Sequence, residues 1–159
     1  MLRPFGPADE PAAVGLLDVE LGGRWQARLG EVQDVLSLPG FVAEVRRELV
    51  GVATYSMTAE RAELAAIAVR SDHRLLGLGS ALIDAVVSAV KDEGAVELWL
   101  VTTNDNLDAL GLYQRRGFYL SEVRPGAVDI SRRLKPSIPL IGQHGIPLRD
   151  ELVLVRPLR

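Results

Sequence analysis

The chain contains no cysteine and only two histidines among its 159 residues. The absence of cysteine excludes disulfides, thiolate nucleophiles and Cys-ligated zinc, and two isolated histidines leave little for another metal cluster. No apolar run reaches the roughly 18 residues of a membrane span, and no secretory pattern opens the sequence. We therefore expect a cytoplasmic protein that holds no metal and uses carboxylates, hydroxyls, amides and the backbone for any chemistry.

An excess of positive charge is also missing, because the formal net charge is -3 and Arg and Lys are spread along the chain. This distribution argues against nucleic acid or an anionic membrane as a partner. Apolar residues are plentiful, at 48% of the sequence, which suffices for the core of one domain. With no linker, repeat or low-complexity tract, we predict a single domain over residues 1–159.

Apolar periodicity predicts strands and helices along most of the chain. Strands are predicted at 1–5, 41–45, 49–55, 61–69, 96–102, 118–123 and 151–156. Helices are predicted at 7–21, from 78 to just before Gly94, and from an Asp105-Asn106 cap through Arg116. Glycines break the apolar pattern in 22–39, which we interpret as loop and short helix. A Pro- and Gly-rich stretch, 125–150, is interpreted as a long loop. The alternation of strand and helix implies a partly parallel sheet.

The turn between the strand at 61–69 and the next helix has the features of an anion site. Its residues are Arg74, Leu75, Leu76, Gly77, Leu78, Gly79 and Ser80. Backbone N–H groups at a helix start and the helix dipole favour an anion such as a pyrophosphate, and Arg74 offers a cation. A Walker loop would need a lysine before Ser80, and a dinucleotide fingerprint would need Gly or Ala at Leu82. Both are missing, although this motif alone also fits a turn that binds nothing.

Two motifs in this region resemble a known family. The sequence Arg74-x-x-Gly77-x-Gly79 is similar to the signature of GCN5-related N-acetyltransferases (GNATs), and the family's second coenzyme A motif resembles Asn106-x-x-Ala109-x-x-x-Tyr113-x-x-x-Gly117-Phe118. The resemblance implies a bacterial member with a long C-terminal tail.

The implied fold is α/β (α+β), with a mixed, mostly antiparallel sheet of about six to seven strands flanked by about four helices. The sheet would be splayed at the acyl-CoA site. In this scheme residues 1–40 shape the acceptor site, 41–118 form the core that binds CoA, and 119–159 supply C-terminal strands with a long loop.

The same resemblance implies acetyl-CoA as co-substrate and assigns roles to individual residues. It places the pyrophosphate on Leu75 to Ser80, the pantetheine along Ile67, Ala68 and Val69, and Asn106 near the pantetheine arm. Tyr113 becomes the proton donor to the departing thiolate. Chemistry supports that role independently, because few other groups in this sequence could hydrogen-bond or protonate a thiolate. Aromatic packing on a helix face is the alternative for Tyr113.

Acylation of an amine also requires a base, because an amine with a pKa near 10.4 is neutral only about once in a few thousand molecules at pH 7. Glu63 occupies the register of the general-base glutamate in histone-acetylating members of the family. Glu97 on the neighbouring strand is the alternative, and ordered water or carbonyls are another. A bulge would reverse which side chains face the cleft, so alternation alone does not decide between the two carboxylates.

Two further features have open roles. The polar run Thr102 to Asn106 ends a strand, where α/β sheets place ligands. We therefore expect at least one residue of this run, in addition to Asn106, to contact the substrate or cofactor. The charged tail at 125–150 would be a salt-bridged lid, an anion-binding surface or a solvated loop. The combined prediction is acetyl transfer to a primary amine by direct attack in a ternary complex. Two alternatives stay open: a non-catalytic module that binds acyl-CoA, and a transferase for another acyl group. The sequence also leaves open the identity of the acceptor and whether the protein is a homodimer.

Overall fold

A computed structural model of the protein describes residues 1–159. Its strands are β1 (Leu2–Pro4), β2 (Trp25–Arg28), β3 (Glu31–Asp34), β4 (Gly40–Val45), β5 (Glu48–Thr58), β6 (Arg61–Val69), β7 (Glu97–Thr103), β8 (Tyr119–Arg124) and β9 (Glu151–Pro157). Its α-helices are α1 (Glu10–Glu20), α2 (Leu78–Asp92), α3 (Leu107–Arg115) and α4 (Ala127–Leu134). None of the helices is long and apolar enough to cross a membrane.

Seven strands form one sheet in the order β1-β4-β5-β6-β7-β9-β8, and every neighbouring pair is antiparallel except β6 with β7. The predicted class is thereby confirmed, as are the range of six to seven strands and the four flanking helices. The parallel step arises because α2 carries the chain back across the sheet between β6 and β7.

The sheet opens between β6 and β7. These two strands pair only where Arg61 to Glu63 face Glu97 to Trp99, so the remainder of β6, through Val69, has no partner on that side. On its other side β6 pairs with β5 along its length, with one register shift that leaves Ala65 as an extra residue. The predicted splay is therefore present, and it exposes backbone N–H and C=O groups of β6.

The bulge at Ala65 decides which side chains share a face. Ala62 and Leu64, before the bulge, belong to the larger core cluster, which α2 and Tyr113 of α3 complete. Ala66 and Ala68, after it, belong to the second cluster, formed with α1 on the opposite face. An extra residue in a strand reverses the alternation, so strict counting from Val69 would have placed Glu63 on the wrong face.

The segment 22–39 differs from the prediction of loop and short helix. It forms the two-stranded hairpin β2–β3, closed by Leu29 and Gly30, which have φ values of 52° and 78°. Both residues are left-handed, as a tight two-residue hairpin turn requires, and only Gly30 is a residue type that signals it. The strands are short and mostly polar, so the sequence lacks the apolar alternation that would identify them. A short single-turn helix at Val35–Ser37 follows.

The tail also differs from the predicted long loop, because residues 127–134 form α4. Gly126 precedes the helix with a φ of 74°, and Pro136 follows its end. An eight-residue helix is too short to be stable alone, and packing supplies its stability here: Val128 and Ser131 are buried. The flanking Gly and Pro residues, which suggested a loop, are the boundaries of this helix.

Candidate active site

A cleft of about 1540 Å³ begins where β6 and β7 part. At one end it is lined by the turn 74–80 and α3, and we call this the turn end. At the other it is lined by β2, Glu63, α4 and the tail that follows, and we call this the hairpin end. The predicted site residues come together in this cleft, with one exception. Leu76 is outside the lining and largely exposed.

The turn end presents a row of unpaired backbone donors. The amides of Leu75 to Ser80 donate to no group in the chain, and the next amide, that of Ala81, is the first to find a carbonyl, at 3.0 Å from Gly77. Gly77 caps α2 in the left-handed conformation with a φ of 79°. Six successive free N–H groups at a helix start form a binding surface for an anion.

Arg74 is less available than the sequence suggests. Its guanidinium forms an ion pair with Glu20, the last residue of α1, and its Nε donates to the Val69 carbonyl at 3.3 Å. About half of the side chain remains open to solvent. Arg74 thus offers a cation beside the turn that Glu20 already partly neutralises, whereas the backbone amides there have no partner.

Tyr113 lies on α3 with 6% of its surface exposed, and it lines the cleft. Its ring packs against Phe118 with centroids 5.8 Å apart. No protein group accepts a hydrogen bond from its hydroxyl, and burial raises its pKa to about 12. Tyr113 therefore remains a neutral phenol near pH 7, with a donor available to a ligand.

Glu63 also lines the cleft, at 6% exposure, and forms an ion pair with Arg28 of β2. Burial raises the pKa of Glu63, and the Arg28 charge offsets part of that increase. A carboxylate with a raised pKa is a better proton acceptor. Glu97 lies outside the cleft lining and pairs with Arg61 at 2.7 Å, so the geometry favours Glu63 over Glu97.

Two residues of the polar run 102–106 hold the tail. Asn104 Nδ2 donates to the Pro147 carbonyl at 2.9 Å. Its Oδ1 accepts from the backbone amides of Arg149 and Asp150. Asp105, which is buried, accepts from the Gln143 amide at 2.8 Å. Anchoring of 143–150 thus accounts for Asn104 and Asp105, while Thr102, Thr103 and Asp105 also line the cleft.

Asn106 is the N-cap residue of α3, as predicted, but its side chain makes no cap hydrogen bond. Its Nδ2 donates to Thr102 Oγ1 at 3.0 Å. Asn106 and Thr102 both line the cleft, between the turn end and the tail. The hydrogen bond to Thr102 holds the Asn106 side chain in the wall of the cleft where β6 and β7 part.

Two basic residues of the tail, Arg132 and Lys135, have internal partners. Arg132 donates to the carbonyls of Ile138 at 3.1 Å, Pro139 at 2.9 Å and Leu148 at 2.9 Å. Lys135 donates from Nζ to the backbone carbonyls of Gly22 and Trp25. Arg132 and Lys135 are therefore held within the fold, and α4 with the loop after it lines the hairpin end, whereas Arg133 and Arg149 are exposed.

Glu151, at the start of β9, is a cleft residue that sequence reasoning missed. It is 2% exposed and has no cationic partner. Its Oε1 accepts from the Leu29 amide at 3.0 Å, and its Oε2 accepts from Ser131 Oγ at 2.7 Å. Glu151 thus joins the hairpin turn to α4. The signal in the sequence was a charged residue at the head of an apolar strand.

Comparison with known proteins supports the family resemblance. A family model described as "Acetyltransferase (GNAT) family" matches residues 16–118. Protein YxbD of Bacillus subtilis is 38% identical over 112 residues, which span 70% of this chain and 69% of that protein.

Solved structures show the same fold. A Bacillus subtilis acetyltransferase in complex with CoA has a TM-score of 0.78 at 21% identity, covering 99% of this chain and 98% of that one. A GNAT family acetyltransferase from Elizabethkingia anophelis with acetyl-CoA bound has a TM-score of 0.75 at 20% identity, covering 99% and 97% of the two chains. At these identities the likeness is one of fold.

Proposed function

Because the chain belongs to the GNAT family of acetyltransferases and is an acyl-CoA-dependent N-acetyltransferase, we propose that it moves an acetyl group from acetyl-CoA to a primary amine by direct attack in a ternary complex. The observation that carries the proposal is the meeting of three features in one cleft. They are the free amides of the turn, the unpaired edge of β6 and the buried hydroxyl of Tyr113. A cysteine that could form an acyl-enzyme is absent from the sequence.

The turn end and the β6 edge suit the two parts of coenzyme A. The amides of Leu75 to Ser80 would hold the pyrophosphate, with the dipole of α2 adding partial positive charge. The backbone of Ile67 to Val69, which lacks a strand partner on the cleft side, would hydrogen-bond the amides of the pantetheine arm. Asn106 stands across the same gap.

Glu63 and Tyr113 would handle the charges that develop during transfer. Glu63 accepts the first proton from the ammonium, the freed lone pair attacks the acetyl carbonyl carbon, and the carbon–sulfur bond breaks to leave a thiolate. The second proton, which the nitrogen loses as the amide forms, passes to the sulfur and gives the CoA thiol. Tyr113 donates a hydrogen bond to that sulfur. Because its pKa is raised to about 12 while a thiol ordinarily titrates at about 8.5, complete proton transfer to the sulfur is uphill. Stabilisation of the thiolate by a hydrogen bond is the role that burial supports best.

Ser80→Asp tests the pyrophosphate site without disturbing the fold. Ser80 is the third residue of α2, and its amide is one of the six free donors. A carboxylate there suits the helix dipole, so stability should hold or rise slightly. It would repel a pyrophosphate, and we expect KM for acetyl-CoA to rise about 10-fold or more, since like charges a few ångströms apart repel by a few kcal/mol at an intermediate dielectric.

Ser88→Asp is the matched control for this change, because Ser88 is an exposed residue of the same helix outside the cleft. We expect it to leave KM for acetyl-CoA unchanged in the same steady-state assay. Equal KM values for the two variants and the unmodified enzyme would remove the turn from cofactor binding.

A homodimer through the β8 edge is a further part of the proposal. β8 ends the sheet, and Tyr119, Leu120 and Val123 on it are each more than half exposed. Such an apolar edge favours contact with a second copy. We expect light scattering to give twice the 17.3 kDa mass of the chain, and Leu120→Lys to return it to one. A monomeric mass for the unmodified protein at micromolar concentration would contradict this.

We also propose a cytoplasmic location, no nucleic-acid or membrane partner, and a division of the chain into regions 1–40, 41–118 and 119–159. The position of β2 supports an acceptor-shaping role for 1–40, but α4 and the tail line the same end of the cleft. The acceptor region therefore extends to residues from both ends of the chain.

A further inference from the structure

We propose that Arg28 binds a carboxylate of the acceptor, so that the acceptor is a small molecule carrying its amine and a carboxylate close together, as an amino acid does. This inference rests on the proposed acetyl transfer to an amine and on Glu63 as the base. It deepens the proposal by assigning a chemical class to the molecule that enters the hairpin end.

The donors of Arg28 are mostly unused. Arg28 ends β2, lines the cleft, and has 15% of its side chain exposed. A guanidinium carries five N–H donors, yet the hydrogen bond from Nη2 to Glu63 Oε1 is its only one. Glu31 comes no closer than 3.8 Å to Nη1 and is 78% exposed. Neither Nε nor Nη1 is among the fully buried atoms that lack a partner, so each keeps some contact with solvent.

The hairpin that carries Arg28 is fixed from both sides. The Leu29 amide, next to Arg28 in the chain, donates to Glu151 at 3.0 Å. The Trp25 carbonyl, at the other end of β2, accepts from Lys135 Nζ at 2.7 Å. A guanidinium held on a rigid strand loses little freedom when an anion binds, which favours paired recognition of a planar carboxylate.

The charges of the hairpin end favour a zwitterion over a molecule with one sign of charge. Beside β2 and α4 the buried carboxylates are Glu63 and Glu151, and the cations are Arg28 and Lys135; the third buried carboxylate of the cleft, Asp105, is held further along the tail by the Gln143 amide. The four formal charges balance when all are ionised. Burial lowers the pKa of Lys135, and two backbone carbonyls already accept from its Nζ, which leaves Arg28 as the cation best placed for an anion. A polyamine or a dianion would leave an uncompensated charge beside these buried carboxylates.

The positions of Arg28 and Glu63 restrict the acceptor further. One oxygen of Glu63 accepts from Arg28, and no protein group donates to the other. An amine delivering its proton to the free oxygen would therefore lie beside the guanidinium. A carboxylate one or two carbons from the amine reaches Arg28, whereas an isolated amine leaves Nε and Nη1 of the guanidinium without an acceptor.

The test compares each amino acid with the amine that lacks its carboxylate. Thiol release from acetyl-CoA would be measured with L-leucine against isoamylamine, L-phenylalanine against phenethylamine, L-lysine against cadaverine, and glycine against methylamine. For the side chain that fits, we expect kcat/KM to favour the amino acid by about 10- to 100-fold, as loss of a hydrogen-bonded charge implies. Equal or reversed preference across all four pairs would overturn the inference while leaving acetyl transfer intact.

Arg28→Gln separates recognition from an indirect effect on Glu63. The variant also removes the counter-ion of Glu63, so the rates with both acceptors will change, and the ratio between them is the readout. We expect the ratio to fall to about one in Arg28→Gln and to an intermediate value in Arg28→Lys, which keeps the charge without the planar fork. Glu31→Gln, the matched control, should keep the full ratio. An unchanged ratio in Arg28→Gln would overturn the inference.

Failure of every acceptor to release thiol would reject the acetyl transfer itself, and with it this inference.

Discussion

Tyr113→Phe is expected to lower kcat about 100-fold while KM for acetyl-CoA changes little, as is typical when one buried donor to a developing anion is removed. The ring would keep its packing against Phe118, and only the hydroxyl, which has no protein partner, would be lost. The departing thiolate would then lack the hydrogen bond that the Tyr113 hydroxyl donates. Steady-state kinetics with acetyl-CoA and a saturating amine measure both constants.

Tyr119→Phe is the matched control, because Tyr119 lies on β8, outside the cleft and half exposed. It should retain full activity. If Tyr113→Phe also retained kcat, Tyr113 would be a packing residue of the larger core cluster. The thermal midpoint should be the same or slightly higher for Tyr113→Phe, because a buried hydroxyl without a partner contributes nothing to stability.

Glu63→Gln is expected to reduce kcat/KM for the acceptor by about 10²- to 10⁴-fold, the usual range for loss of a general base. The amide keeps an oxygen for Arg28 but accepts no proton. In the unmodified enzyme Glu63 works only when ionised, and burial raises its pKa above the ordinary glutamate value. Activity should therefore fall as the pH drops through that raised pKa, and this acidic limb should be missing from Glu63→Gln.

Titration of the amine itself adds a dependence at higher pH that both enzymes share, so the difference between the two pH profiles isolates Glu63. Glu97→Gln provides the control, since Glu97 pairs with Arg61 away from the cleft. A pH profile that keeps its acidic limb in Glu63→Gln, or loses it in Glu97→Gln, would assign the base to another group.

The elements that sequence patterns predicted well are those whose signals are local. In α2, Leu82, Val86 and Val90 repeat every four residues and are fully buried, and Gly77 sets its start. The strand β6 was predicted with its observed bounds, because its apolar residues end sharply at the polar segment after Val69. Such elements are determined by spacing and by residues at their ends.

The elements that were missed depend on contacts between distant parts of the chain. The hairpin β2–β3 is polar and short, and a hairpin of this size is marginal without support. Its support comes from Glu151 and Lys135, more than 100 residues away. The helix α4 likewise depends on burial of Val128 and Ser131. No local pattern carries information of this kind.

The residues of the candidate site also fall into two groups, those that a sequence motif indicated and those that only the fold brings together. The turn at 74–80 and Tyr113 were proposed from motifs, and the structure places both in one cleft. Arg28 and Glu151 carry no motif, and their importance depends on the fold that brings them to Glu63 and to the Leu29 amide. Glu63 itself could be named only through the resemblance, since the bulge at Ala65 removes any argument from alternation.

Initial rates of thiol release, measured while acetyl-CoA and an amine acceptor are varied together, test the central claim most directly. The account predicts thiol release that requires the acceptor, intersecting double-reciprocal lines, and an acceptor whose mass increases by one acetyl group. Parallel lines, or equal thiol release without an acceptor, would contradict direct transfer in a ternary complex.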